Sequence, residues 1–498
     1  MTRLPGERDA APVRTEPGTG AADGGARRLG LALFLVSAAQ FTLQLDFSIV
    51  NVALATIQRE FGVSAADLQW IVTGYALPFG ALLLLGGRLG DLTGHRRLLV
   101  LGLGLFGVTS LAAGLAPDTG VLIAARFAQG ASAALVAPMT LAAITDLYPD
   151  GAGRARALGI YQGATAAGAS AGIVLGGILT EYAGWRAIFL VNPPVIVVLT
   201  GAMLRLLPAG SRHAAPGRQA RGRLDVAGAV LVTVSVAALI FGLSQGQQHG
   251  FGAPETVAAL AAAAVLGAGF VIAQRRVAAP MVPVRVLASG ARRVALGAMF
   301  LAASVVVGYV YFVTLYMQKV LHFSALRAGL GLLPATLTVL VTSTWVARRL
   351  AVRFGTRSVL AAGLASMGLG QLWLVQLSAS GTYAGNVLPG ILLTAFGMGL
   401  LFPTASVAAT AGVGRGDRGL AGGLFAASQQ VGMAVGLAVL ATVAAARSRT
   451  VTGTGTGTGA AAAALVSGYR LSFWVAAAVA ACALLMVLLL LPRQSAGR

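Results

Sequence analysis

The feature that most limits this chain is a succession of apolar runs, each about twenty residues long, separated by short basic loops. An α-helix needs about 20 apolar residues to cross the hydrocarbon core of a bilayer. Fourteen such runs can be read, near 29–54, 68–88, 98–115, 119–145, 156–181, 187–207, 226–246, 255–273, 294–318, 327–347, 358–378, 385–410, 419–446 and 469–491. Lipid offers no hydrogen-bond partner to a bare backbone, so a chain of this kind is expected to fold as an all-α polytopic membrane protein. The composition agrees: 10% of the 498 residues are charged and 57% are hydrophobic, where a soluble domain carries about 25% charged residues. The runs 226–246 and 255–273 are joined only by "GQQHGFGAPE". They read as two full spans, with a re-entrant hairpin as the alternative.

The formal net charge is +21, which in a soluble protein would point to nucleic acid. Here the basic residues gather in alternate loops, so no nucleic-acid partner is expected. One set contains both chain ends with "GRLGDLTGHRR", "GRAR", "RLLPAGSRHAAPGRQARGR", "QRRVAAPMVPVRVLASGARR", "RRLAVRFGTR" and "GRGDR", and holds roughly four-fifths of the 36 Lys and Arg residues. The other set holds Arg59, Arg186, Lys319, Arg327, Arg447, Arg449 and Arg470. The positive-inside rule then puts both termini in the cytoplasm, as an even number of spans requires. The bias toward Arg, Ala and Gly fits a GC-rich bacterial genome, so the expected location is a bacterial cytoplasmic membrane. Residues 1–28 mix Pro, Gly and both charge signs and predict a disordered cytoplasmic N-terminus rather than a cleaved signal. Residues 492–498 read as a cytoplasmic tail, and "VTGTGTGTGAAAAA" at 451–464 as a flexible tether.

Several chemistries are excluded. Lys319 is the one lysine and sits in "YMQKVL", so there is no Walker A loop to bind ATP. "GLGLFG" at 102–107 has dinucleotide-fingerprint spacing but lies inside an apolar run with no preceding strand, which reads as close helix packing. The histidines, at 95, 213, 249 and 322, show no metalloprotease spacing, and Cys482 stands alone in an apolar run as a packing residue. No catalytic centre, metal or cofactor is expected.

Asp46 and Arg126 lie well inside the first and fourth spans. An ionisable residue at that depth is expensive and marks a functional site by default. The alternative is an ion pair that merely joins two helices. Desolvation favours the neutral acid and a nearby guanidinium favours the carboxylate. A carboxyl under both influences can change protonation as its access alternates, which is what proton coupling needs. In "GGRLGDLTGHRR", Gly87 and Gly94 allow a tight turn, and Asp91 lies among Arg88, Arg96 and Arg97. A weak echo occurs at "RRLAVRFGTR", where Gly355 aligns with Gly94, Arg357 with Arg96, and Val352 with Asp91. Such an echo predicts an internal repeat.

Taken together, these segments resemble the fourteen-span drug:proton antiporter family of the major facilitator superfamily, over about 29–491. "LDFSIVNVAL" resembles that family's first-helix motif, L-D-x-T-I-V-N-V-A-L, with Ser48 in the Thr place. "LQWIVTGYAL" resembles its second-helix entry, and "GRLGDLTGHRR" the superfamily loop motif, with His95 for the first Arg. "RFAQGASAA" resembles the fourth-helix R-x-x-Q-G motif, and "GWRAIFLVNPP" a further family segment. The fifth-helix motif, usually G-P-x-x-G-G, is here "GIVLGG", with Ile173 in the proline position. That departure predicts a straighter helix, while Gly168, Gly172 and Gly176 keep the spacing for close approach.

The resemblance implies two six-helix bundles, 29–207 and 293–491, linked by 208–292 with the two extra helices. It implies Asp46 and Arg126 as the proton-coupling pair. Gly87, Asp91, Gly94, Arg96, Arg97, Gly172 and Gly176 would serve conformational gating, with Asp91 near the start of the helix beginning about Gly419. Gln429 and Gln430, in "SQQVGMAVG", are candidate cavity residues with Gln44, Tyr75, Gln129, Tyr309 and Phe312. The implied partners are a small-molecule substrate, protons and the lipid bilayer, with a monomeric carrier powered by the proton gradient. Export of hydrophobic or amphipathic drugs is the leading reading. An uptake symporter for a small polar metabolite and a membrane sensor remain as rivals.

Overall fold

A computed structural model describes residues 19–63, 65–148, 151–206, 225–277, 280–452 and 458–491. In chain order its helices are α1 (Thr19–Phe61), α2 (Ala65–Thr93), α3 (His95–Gly114), α4 (Thr119–Leu147), α5 (Gly151–Ala183), α6 (Ala187–Leu190), α7 (Asn192–Leu206), α8 (Val226–His249), α9 (Pro254–Arg276), α10 (Val284–Ala288), α11 (Gly290–Lys319), α12 (Ala325–Val341), α13 (Ala347–Leu374), α14 (Leu388–Thr410), α15 (Arg418–Thr452) and α16 (Thr458–Leu490). Single π-helical turns, Thr342–Val346 and Tyr383–Val387, lead into α13 and α14.

Among the described residues, 13 stretches are long and apolar enough to cross a membrane. The longest, Leu326–Leu374, has 49 residues, more than twice the roughly 20 that one crossing uses. It breaks at Gly355, where φ is 78° and ψ is 162°, and so makes two crossings. The described residues therefore cross fourteen times. Helices α6 and α7 together make one crossing, Ala187–Leu206. Helices α8 and α9 supply apolar stretches of 21 and 23 residues. At about 1.5 Å per residue each spans about 30 Å, the full hydrocarbon thickness. The linking pair are thus two spans and not a re-entrant hairpin.

Helix ends differ from the sequence expectation, because hydropathy registers only the apolar thickness. Of the expected disordered segment, residues 1–18 lie outside the described residues, and 19–28 are the first turns of α1. Of the expected tether, 453–457 lie outside the described residues, whereas α15 runs through Thr452 and α16 starts at Thr458. The alanine run at 460–464 is helical because alanine is the strongest helix former. Residues 492–498 lie outside the described residues. Cys482, expected to be a packing residue, is exposed on α16.

Helix α5 is continuous over 33 residues, through Ile173, and lies along α1. A Cβ at Gly172 would fall 2.6 Å from the Leu45 carbonyl oxygen, and one at Gly176 would fall 2.8 Å from that of Ile49. Small residues are what permit this approach. Gly172→Val is expected to destabilise the protein by about 1–3 kcal/mol through overpacking. A lowered thermal midpoint in detergent would show it. Gly201, inside α7, where an added Cβ would meet nothing within 4 Å, is the control: Gly201→Val should not lower the midpoint.

Across the bundle α2 packs on α15, and α5 packs on α12. Helix α8 covers α2 through Leu84, Ala229 and Val232. Helix α9 lies outside α8, joined by the Ser235 hydroxyl donating to the Ala263 carbonyl at 2.8 Å. Large apolar side chains such as Val197, Val265 and Leu489 are exposed on the outer surface, where lipid would meet them.

The repeat is visible in the backbone. Gly94 and its counterpart Gly355 both have positive φ, 99° and 78°, in a region that side chains other than glycine rarely adopt. Arg96 donates to the Leu204 carbonyl of α7, and Arg357 donates to the Leu488 carbonyl of α16. The copies part at one position: Asp91 has a side chain 1% exposed, whereas Val352 is 74% exposed.

Candidate functional site

A charge inside the bundle is stable only if partners replace its hydration. Asp46 on α1 is 0% exposed and Arg126 on α4 is 1% exposed. The Arg126 Nη1 donates to Asp46 Oδ2 at 2.8 Å. Asp46 Oδ1 accepts from Gln129 Nε2 at 2.8 Å and from Asn192 Nδ2 at 2.7 Å. Arg126 also donates from Nη1 to Gln129 Oε1 at 2.8 Å, and from Nε to the Ile71 carbonyl at 3.1 Å. Its guanidinium carbon lies 4.4 Å from the Tyr75 ring centroid, a cation–π contact. One node therefore ties α1, α2, α4 and α7 together.

Two members of this node are absent from the sequence candidates. Asn192 opens α7, and its Nδ2 also donates to Ser110 Oγ on α3 at 3.0 Å. The Ser110 hydroxyl passes its own hydrogen to the Phe189 carbonyl at 2.9 Å. The signal for Asn192 is the amide inside "GWRAIFLVNPP". Ser110 has no such mark in its run. Tyr75 and Gln129, candidates for the cavity, lie instead in the charged node.

The second constellation lies on the face that carries the α2–α3 turn, which is also the arginine-rich face. Asp91 accepts from the backbone N–H of Gly419 at 2.7 Å and of Leu420 at 2.8 Å. These belong to the first turn of α15, where unpaired N–H groups and the helix dipole favour an anion. Gly87 permits the approach, since a Cβ there would lie 2.5 Å from the Gly419 carbonyl oxygen. His95 bridges two carboxylates, with Nε2 3.0 Å from Asp91 Oδ1 and Nδ1 2.7 Å from Asp146 Oδ2. A neutral imidazole has one N–H, so donating to both takes the imidazolium. Asp146 in turn pairs with Arg418.

Further links close the same face. Arg154 donates to the Thr410 carbonyl at 3.0 Å, and Arg292 donates to that of Ala409 at 2.8 Å. Arg285 meets Asp417 at 3.1 Å. The hydrogen bonds to Asp417, and then its charge, raise the Arg285 guanidinium above its ordinary value. Arg97 is exposed at the same turn. On the opposite face Glu60 joins α1 to Arg186 and Trp185, and the Arg186 hydrogen bond first, then the Trp185 one, holds its carboxyl below the usual range.

A cavity of about 30 Å³ lies where α1, α2, α4 and α5 meet α15. Gln40, Gln44, Gln162, Gln429 and Gln430 line it with Phe79 and Phe425. Of the sequence candidates, Gln44, Gln429 and Gln430 are at its wall. Tyr309 and Phe312 are not: both are buried on α11, and the Phe312 ring packs 5.5 Å from that of Tyr469. Drug-sized sites are about 300–1,000 Å³, so this conformation, closed on the arginine-rich face, must open to hold cargo there. A larger cavity, of about 560 Å³, sits beside Arg447, Arg470 and Trp474 at the ends of α15 and α16. Its walls come from the C-terminal part alone, so it is not the space between bundles.

Fourteen crossings, a buried carboxylate–guanidinium node and a latched helix contact on one face define a multi-pass membrane transporter rather than an enzyme. The chain belongs to the Major Facilitator Superfamily, whose sequence model matches residues 36–437. It is 40% identical over 415 residues to the cephamycin export protein CmcT of Amycolatopsis lactamdurans, covering 83% of this chain and 84% of that one. With the puromycin resistance protein pur8 of Streptomyces alboniger it shares 36% identity over 82% of this chain and 81% of the relative. The solved proton:xylose symporter XylE has the same fold, with a TM-score of 0.63 at 13% identity, covering 95% of this chain and 98% of that one.

Proposed function

We propose that this chain is a proton-coupled efflux transporter that exports hydrophobic or amphipathic antibiotics by alternating access. The observation that carries this reading is the node around Asp46. Three neutral or cationic donors hold the carboxylate, so the node is charge-balanced when Asp46 is ionised. A proton on Asp46 leaves the Arg126 charge uncompensated and weakens bonds that join α1, α2, α4 and α7. Protonation and helix rearrangement are thereby linked, because a ligand shifts a conformational equilibrium by its differential affinity for the two states. Names of relatives such as CmcT and pur8 supply the direction and the class of cargo.

On this reading the arginine-rich face is cytoplasmic, with both termini, and the protein sits in a bacterial cytoplasmic membrane as a monomer. The bundles are 29–207 and 293–491, and α8 and α9 belong to the linker between them. The structure's closed arginine-rich face is then the outward-directed limb of the cycle. Asp46 takes a proton from outside, the Asp91 latch releases, and the cavity opens to the cytoplasm. The test is drug uptake into everted membrane vesicles, where a pH gradient should drive drug inward and drug addition should release protons. Proton and drug moving in the same direction would sink antiport and favour the symporter reading.

The latch gives its own prediction. Asp91→Asn removes the anion from the α15 N-terminus and from His95. Such a charge–dipole contact contributes about 1–2 kcal/mol when partly buried, so cytoplasmic-side accessibility should rise about tenfold. Labelling of a cysteine placed at Ala426, on the half-buried cavity wall, in a Cys482→Ala background because Cys482 is itself exposed, reads this directly. Unchanged labelling would remove Asp91 from gating.

A further inference from the structure

We propose that the cavity between the bundles selects net-neutral, hydrogen-bonding solutes: molecules bearing amide, lactam or hydroxyl groups beside an apolar or aromatic flank, with permanent ions excluded. The inference rests on the transport reading only for the direction of movement. Five primary amides converge on the space, from Gln40 and Gln44 on α1, Gln162 on α5, and Gln429 and Gln430 on α15. No Asp, Glu, Lys, Arg or His is among its lining residues.

Gln162 is only 4% exposed, yet its amide has no hydrogen-bond partner among the described residues. Gln44, Gln429 and Gln430 likewise have none. Gln40 accepts a single long bond, from Thr140 Oγ1 at 3.4 Å. Gln40 and Gln162 are buried, and Gln44, Gln429 and Gln430 half-buried; amides so placed are normally paired, so this group holds its donors and acceptors in reserve for whatever fills the cavity. Each amide offers one acceptor oxygen and two N–H donors, which suits a cargo carrying both kinds of group. Phe79 and Phe425 line the same space and give an apolar flank to stack against.

Charge is kept elsewhere. Asp46 shares α1 with Gln40 and Gln44, but both of its oxygens are taken by Arg126, Gln129 and Asn192. A cation entering the cavity would lose water and find no carboxylate, and an anion would find no arginine. Neither loss is compensated.

The test uses the purified full-length protein in nanodiscs, with thermal-shift binding of a compound panel sorted by net charge. Chloramphenicol serves as a neutral amide diol, tetraphenylphosphonium as a lipophilic cation and tetraphenylborate as a lipophilic anion. Stabilising compounds should be neutral, and Gln162→Leu and Gln429→Leu should each weaken the best of them about tenfold, as loss of a hydrogen-bonded group would. Gln44→Glu should gain binding of the cation. Preferred binding of permanent ions, or neutral binding unmoved by both leucine variants, overturns the proposal. If neutral compounds bind as expected but a pH gradient does not move them, the export reading fails and the cavity assignment stands.

Discussion

Asp46→Asn is expected to abolish uphill export, with gradient-driven drug transport in everted vesicles falling about 100-fold or more. The asparagine keeps the size of the carboxylate and still reaches Gln129 and Asn192. What it loses is the charge opposite Arg126, the second oxygen that accepts from Arg126 Nη1, and the ability to carry a proton. Breaking a buried ion pair from one side costs about 3–5 kcal/mol, so folding must be followed in parallel. Size-exclusion elution of the variant, and drug exchange down its own gradient, separate a folded but uncoupled carrier from a misfolded one. Export against the gradient at the wild-type rate would show that Asp46 does not carry the coupled proton.

The second large effect is expected for Arg126→Lys, although the charge is conserved. Arg126 uses Nε for the Ile71 carbonyl and Nη1 for both Asp46 and Gln129, while its flat face meets Tyr75. An ammonium is a point charge without that planar fork. It can hold Asp46 but leaves the Ile71 carbonyl or the Gln129 oxygen without a donor, each costing about 1–3 kcal/mol when buried. The variant should transport at least about tenfold more slowly and unfold at lower temperature. Equal rates in the two proteins would mean that charge alone matters at this position and that the fork is dispensable.

The topology is legible in the sequence because hydrophobic thickness is a strong one-dimensional signal. Asp46 and Arg126 are legible for the opposite reason, as charges where charges are costly. The neutral members of the same network are much less visible. Asn192 and Ser110 complete the node, but a serine or amide in a spanning helix serves equally as packing glue. In these helices apolar side chains cover most faces, so periodicity does not say which way a polar residue points. Gln40 and Gln162 escape notice for that reason, and Tyr75 and Gln129 are expected at the cavity wall when they stand beside Arg126. Gly355 shows a different limit. Its alignment with Gly94 is readable, but that both adopt positive φ follows from a turn that only the backbone reveals.

Under the proposed transport cycle, the mismatch between Asp91 and Val352 has a kinetic consequence. The two repeats share their turn glycine and their arginine-to-carbonyl clasp, but only the first has an acid to seat on a neighbouring helix end. On the gating role proposed for Asp91, the brake on the cycle is single and not doubled, and substitutions at one turn should tighten or loosen it. Turnover speed and cargo choice are then adjustable at separate places, the one at the α2–α3 turn and the other among the five glutamines.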